Sequence, residues 1–196
     1  CAQILGDLGA DIIKVEQTGS GDDTRRFAPP FIKDQDGQDT DVSAYFCSAN
    51  RNKRSITLNI ADKEGQDLAK RLAASSDVLV ENFKFGGLAK YGLSYDHLKD
   101  EVPGLVYCSI TGFGHTGPYA ARPGYDVMIQ AMGGFMSITG DPDGEPQKAG
   151  VPIADLMAGM YASVAINAAL RHREKTGEGQ HIDIGMLDTM AATLSI

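Results

Sequence analysis

Five short runs rich in apolar and β-branched residues punctuate the chain: DIIKVE (11–16), RSITLNI (54–60), DVLVENF (77–83), GLVYCSITGFG (104–114) and QHIDIGM (180–186). Between them lie stretches with helical periodicity at 62–76, 95–101 and 124–136, and a long one through 150–180. A helix over 2–8 should stop at Gly9, and another should begin at 187–196. Parallel strands need a crossover of a dozen or more residues, usually a helix. The alternation therefore predicts an α/β fold: a doubly wound, Rossmann-like parallel sheet with flanking helices. Ligands in such sheets sit beyond the carboxyl ends of the strands. Two of those ends carry unusual residues, ENFKFGG (81–87) and ITGFGHTGP (110–118). The polar stretch 17–45 reads as one long loop.

Composition narrows the classes. A chain of 196 residues suits one domain or one large piece of a bigger one. A net charge of −8 argues against a nucleic-acid partner. No apolar run reads as long enough to span a bilayer, so no membrane partner is expected. Cys1, Cys47 and Cys108 are odd in number and lack C-x-x-C spacing. That pattern fits reduced thiols and a cytoplasmic setting. His97, His115, His172 and His181 lack metal-ligand spacing, and no metal is expected. GSGDDT (19–24) resembles a phosphate loop only in its glycines, because its two aspartates would repel phosphate. The chain opens without Met, in mid-helix, and stops inside an apolar stretch, so it is expected to be cut at both ends.

Asp155 is the residue that least fits its surroundings. It stands near the start of the long apolar helix, three residues after Pro152, among Ala154, Ala158 and Gly159. On the residues alone it reads as an N-terminal helix cap. A helix start there would also offer backbone N–H groups to an anion.

Seven segments in order change the weight of that reading: LGDLGADIIKVE, NRNKRSITLNI, DVLVENFKFGGLAKYGLSYDHL, YCSITGFGHTGP, GYD (124–126), ADLMAGMYA and KTGEGQHIDIGMLD. Together they run along nearly all of the chain, and they resemble the class III CoA-transferase (CaiB/BaiF) family. The resemblance implies transfer of CoA from an acyl thioester to a carboxylic acid through an aspartyl mixed anhydride and an enzyme-bound CoA thioester. It places Asp155 as the nucleophile and coenzyme A, as acyl-CoA, as the ligand. It sets Leu58, Asn59, Ile60 and Ala61 along the adenine, and Asn82 and Phe83 beside the nucleotide. Arg54, Lys84, Lys90, Tyr91 and Arg122 complete the binding set, with the cations near the phosphates. Lys90 stands where the family often has Arg, Phe85 replaces the proline of N-F-R-P-G, and Gln17 follows KVE where some relatives are basic.

The same family hosts α-methylacyl-CoA racemases, whose base is the His of G-H-D. Tyr125 occupies that place here. With a pKa near ~10 a neutral Tyr is a poor α-proton base. It serves instead to donate a hydrogen bond, or is a packed ring with a satisfied hydroxyl. The resemblance further implies that residues 1–196 are part of a large CoA-binding and catalytic domain, that a small domain is absent, and that the protein is a homodimer. A non-catalytic, truncated CoA-binding relative is the remaining alternative.

Overall fold

The structure, a computed structural model, describes residues 1–194 of the 196, so the last two residues of the helix expected at 187–196 lie outside it. It divides into two compact units, Ala2–Asp67, and Cys1 with Leu68–Ile196.

In the first unit a short helix α1 (Ala2–Asp7) ends at Gly9, whose φ of 101° only glycine adopts readily. It leads into β1 (Ile12–Glu16). The stretch expected to be one loop is more ordered. It holds a 3₁₀ turn (Asp23–Arg26) and a hairpin of β2 (Phe31–Lys33) and β3 (Asp39–Ser43). The strands of this hairpin are too short and polar to leave an apolar pattern in the sequence. Its turn is legible there: Asp34 Oδ1 accepts from the N–H groups of Asp36 and Gln38, and Gly37 has φ 76°. A helix not anticipated in the sequence, α2 (Ala44–Asn50), overlaps the last two residues of that stretch; its cap is Ser43, whose Oγ accepts from Phe46 N. Then β4 (Lys53–Thr57) pairs in parallel with β1, from Ile12↔Lys53 to Glu16↔Thr57.

The buried anchor of this unit is Glu16. Its carboxylate accepts from Arg25 Nε and Nη2, both at 3.0 Å, from Ser55 Oγ at 2.7 Å and from Asp22 N at 3.0 Å. The Arg25 guanidinium lies over the Phe46 ring, 3.9 Å from its centroid. The two aspartates of GSGDDT are thus structural in part: Asp22 caps the 3₁₀ turn and pairs with Lys14.

The helix α3 (Lys63–Ala74) leads into the second unit. There β5 (Val78–Glu81), β6 (Val106–Thr111) and β7 (His181–Gly185) form a parallel sheet in the order β5-β6-β7. The helix α4 (Tyr95–Leu98) lies on the β5–β6 crossover. Both α5 (Asp126–Met132) and α6 (Ile153–Thr176) lie on the β6–β7 crossover, and α7 (Met186–Thr193) follows β7. The expected parallel α/β architecture is present, with its parallel strands shared between a two-stranded and a three-stranded sheet. One core packs Phe113, Ile129, Ala154, Ala158, Met186 and Met190; a second packs Ala73, Leu98, Leu105 and Tyr107.

One expectation is corrected here. By length and composition only, α6 is long and apolar enough for a membrane span: it has 24 residues, and the mean hydropathy of its most apolar 18-residue window is 1.4. Asp155, glycine and many alanines interrupt the run and mask its length in the sequence. Its buried face of Ala154, Ala158, Ala162, Ile166 and Ala169 packs on β6, β7, α5 and α7, as a core helix does. Small side chains on that face let the helix approach the sheet closely.

The Glu16 site yields a stability test. The Arg25 hydrogen bond, ahead of the opposing effect of burial, holds the Glu16 carboxyl down at about 2 against its ordinary 4.5. A lowered carboxyl stabilises the fold above its ordinary value, and that stability is lost as pH falls through about 2. Each tenfold change in proton affinity between the folded and unfolded chain corresponds to about 1.4 kcal/mol, so roughly 3 kcal/mol is at stake. Glu16→Gln should be less stable than the parent chain at pH 7 by that order. The gap should close between pH 4.5 and 2 in denaturant titrations followed by circular dichroism. Parallel curves over that range would exclude the effect.

Candidate functional site

The helix α6 begins on Pro152, which has no side-chain acceptor with which to close the first turn. Asp155 does not do so either: it is the third helical residue, and the cap reading of it is corrected. The closing carboxylate comes from another helix. Asp126 Oδ1 accepts from Ala154 N at 2.9 Å and from Asp155 N at 3.3 Å. Ile153 N donates to Val151 O, and Leu156 N donates to Pro152 O. The first-turn N–H groups are therefore all engaged within the protein, and the expectation that they would serve a bound anion is not met.

Asp155 keeps an exposed edge to solvent while protein crowds its other sides. That crowding, followed by the negative charge of Asp126, pushes its carboxyl up to about 6 from an ordinary 3.8. The exposed edge means that partial desolvation, not enclosure, is the cause. A carboxylate stripped of part of its water and raised in basicity is a better nucleophile than a hydrated one.

Glycines bring Asp126 to this place. A Cβ on Gly124 would lie 2.2 Å from Gly112 Cα, and one on Gly112 would lie 2.4 Å from Gly124 Cα. Two backbones cross there, one leaving β6 and one entering α5, at a distance that only a glycine pair allows. The strand end at Thr111 is thereby fixed against the start of α5. Gln130, fully buried one turn after Asp126, donates from Nε2 to Asp126 Oδ2 at 2.6 Å. Its Oε1 accepts from Ala149 N at 2.8 Å. In the sequence Asp126 stands in the GYD segment without a role, and Gln130 carries no signal at all.

Tyr125 is the residue before α5, and its ring is 73% exposed, so the packed-ring alternative fails. It adjoins Asp126 in the chain, which ties it to the Asp155 corner through backbone.

The candidate CoA residues fall in both units. In the first, Arg54 donates to Asp11 through Nε and Nη2, with both side chains well exposed. Such a pair is worth roughly 0–1 kcal/mol, so it opens readily. Leu58, Asn59, Ile60 and Ala61 form a turn already organised by its own contacts. Leu58 N donates to Glu16 O, Asn59 Oδ1 accepts from Ala61 N, and Gln66 Nε2 donates to Ile60 O. In the second unit Asn82 Nδ2 donates to Ile110 O at 2.5 Å, which pins the end of β5 to β6. Phe83 and Lys84 are exposed. Lys90 Nζ lies 4.7 Å from the Tyr91 ring centroid, and the Arg122 guanidinium 4.1 Å from that of Tyr119. Lys90 and Arg122 thus rest on aromatic faces with their charge toward water.

A cavity of about 410 Å³ lies beneath the 84–89 turn. His181 sits in it, stacked on Tyr95 at 4.8 Å, 3.0 Å from Ser109 Oγ and 5.3 Å from the His115 ring. Burial, then the neighbouring His115, lowers the His181 pKa. Sequence spacing could not bring these residues together, since they meet only through the parallel pairing Tyr107↔His181.

Comparison with known proteins gives the family and the fold. The family model for CoA-transferase family III matches residues 1–196. A succinate–glutarate CoA-transferase of Agrobacterium fabrum is 54% identical over 193 residues, which cover 98% of this chain and 48% of that protein. A succinyl-CoA:glutarate CoA-transferase of Mus musculus is 48% identical over 191 residues, covering 97% and 42%. The crystal structure of a CAIB/BAIF family protein from Brucella suis superposes with a TM-score of 0.93 at 56% identity, covering 99% of this chain and 50% of that one. The chain spans about half the length of the curated relatives it matches.

The raised Asp155 carboxyl has a consequence independent of chemistry. A carboxyl held above its ordinary value binds its proton more tightly in the folded state. Stability should therefore fall as pH rises from 3.8 through about 6, and level off above. Asp155→Asn removes this dependence. Melting temperatures of variant and parent should diverge in the variant's favour across that window. An unchanged difference from about pH 4 to pH 8 would show that Asp155 titrates normally.

Proposed function

The chain belongs to CoA-transferase family III, and from that premise we propose that the whole protein moves CoA between a short dicarboxylic acyl thioester and a free carboxylic acid, with Asp155 as nucleophile. The observation that carries this is the Asp155 corner itself: a partly desolvated carboxylate with its pKa pushed up to about 6, on a helix start held by Asp126. The substrate class rests on the succinate–glutarate activity named for two relatives.

The steps balance as two acyl exchanges. An Asp155 carboxylate oxygen attacks the thioester carbonyl carbon, the C–S bond breaks, and CoA leaves as thiolate. The thiolate then attacks the Asp155 carbonyl of the mixed anhydride and releases the first carboxylate. The acceptor carboxylate attacks the aspartyl thioester, and the thiolate finally returns to the acceptor's carbonyl and frees Asp155. Tyr125, exposed beside Asp126, donates its hydroxyl to the oxyanion of these additions. Lys84, Lys90 and Arg122 meet CoA phosphates, with lysine acting as a point charge rather than a bidentate fork. Tyr125 in place of a histidine supports transfer over racemisation, since no proton need leave the α-carbon.

The partner proposed is a second copy. Leu156, Met160 and Val164 run at helical spacing along α6 with 50%, 53% and 70% exposure. An exposed apolar stripe of this kind favours association.

For the whole protein, Asp155→Asn should lower kcat at least ~10³-fold. Hydroxylamine with succinyl-CoA should leave a hydroxamate at Asp155, read by peptide mass. The rate should rise tenfold per pH unit below about 6 and plateau above, as Asp155 ionises. Near-parent turnover by the Asn variant would overturn the assignment. The 196-residue chain alone should scatter light as a species heavier than 20.9 kDa and show no transfer, its site being open to water. A monomer would refute the association, and turnover would refute the inactivity.

A further inference from the structure

Gln130 is a fully buried amide on α5, the helix whose Ile129 enters the apolar core. A buried amide is tolerated only when its hydrogen bonds are made. Here both ends are used, and in one orientation only. The Oε1 side accepts from Ala149 N, three residues before Pro152. The Nε2 side donates to Asp126 Oδ2, whose other oxygen holds the N–H groups of Ala154 and Asp155. One side chain therefore clamps the chain on both sides of the bend that starts α6. The bend is where Asp155 is presented.

The surroundings offer no substitute. Of the charged groups around this corner, Asp126 of α5 acts on Asp155. Lys148, in the preceding segment, turns its Nζ to Ala149 O. Asp188 of α7 is exposed. With Gln130 removed, nothing else among these groups would hold both Ala149 and Asp126.

We propose that Gln130 is a positioning residue for Asp155: its amide ties the 149 segment to Asp126 and so fixes the first turn of α6 in the place where the Asp155 carboxylate can attack. The proposal rests on the reading of Asp155 as nucleophile. Gln130 touches no substrate, so its loss should lower kcat and leave binding of the acyl-CoA alone. Displacement of a catalytic group by a fraction of an ångström is costly in rate, because the reacting atoms must meet at about 3–3.5 Å.

Two variants test it in the whole protein. Gln130→Met is close in volume and makes neither bond; kcat per folded site should fall about 10- to 100-fold with KM for succinyl-CoA within about twofold. Gln130→Glu keeps the acceptor for Ala149 and can donate to Asp126 only while protonated. Buried beside Asp126, its carboxyl should hold its proton to a pH of about 7 to 9. Its rate profile should then be bell-shaped, near the parent at about pH 6 and falling above, where the parent stays level. Folded fraction is measured at each pH by circular dichroism, so a purely structural role, which lowers melting temperature only, is separated. The pH dependence of carbodiimide labelling of Asp155, read by peptide mass, needs no turnover. A changed labelling profile in Gln130→Glu alongside an active Asp155→Asn would sink the nucleophile and leave the positioning. Parent-like kcat per folded site in both variants, with a level profile and unchanged labelling, would overturn the proposal. If the Met variant does not fold, the Glu variant decides alone.

Discussion

The second unit turns on one carboxylate serving a helix that is not its own. A helix opening on proline leaves its first amides without a side-chain acceptor from its own chain start. Asp126 reaches across from α5 and accepts from two of them. This single contact places the start of the 24-residue core helix, and with it everything α6 buries against β6, β7 and α7. It also sets a negative charge beside Asp155, so the group that builds the corner is also one that raises the Asp155 pKa. Structure and chemistry are coupled there through the same two oxygens.

The contact is possible because backbones can nearly touch at Gly112 and Gly124. A side chain at either would push α5 away from the end of β6 by more than a hydrogen bond tolerates. The glycine pair thus belongs to the site as much as the charged residues do, although it has no chemistry of its own. Behind it, Gln130 resolves a conflict common to sites of this kind. A carboxylate must be held rigidly, but a buried partner with a charge would change its protonation. A neutral amide holds Asp126 without adding charge.

The first unit follows a different logic. Its order depends on Glu16, buried with four donors and linked to the 3₁₀ turn, to β4 and to the segment before β2. A stretch that is polar in composition is ordered from its charged groups inward. Polar composition alone misreads such a segment as loop, because ion pairs and turn hydrogen bonds leave no hydrophobic period behind them.

The sequence by itself determined the parallel α/β class, the place of most strands and helices, and the family, because alternation and local motifs are properties of neighbours in the chain. It marked Asp155 as out of place, and Tyr125 and the 82–91 segment as worth attention. It could not show that Asp155 is uncapped and that Asp126 caps its helix instead, nor that Gln130 stands behind both. Nor could it separate the alanine-rich α6 from a polar-interrupted run too short to span a membrane. The His115–His181–Ser109 cluster was equally hidden. Apart from the Gln130–Asp126 bond, which spans one helical turn, these contacts join residues 19 to 72 positions apart, decided by strand register, by how closely two glycines let backbones cross, and by which face of a helix is buried. Only the folded chain brings such groups within the roughly 3 Å at which hydrogen bonds form and pKa values move.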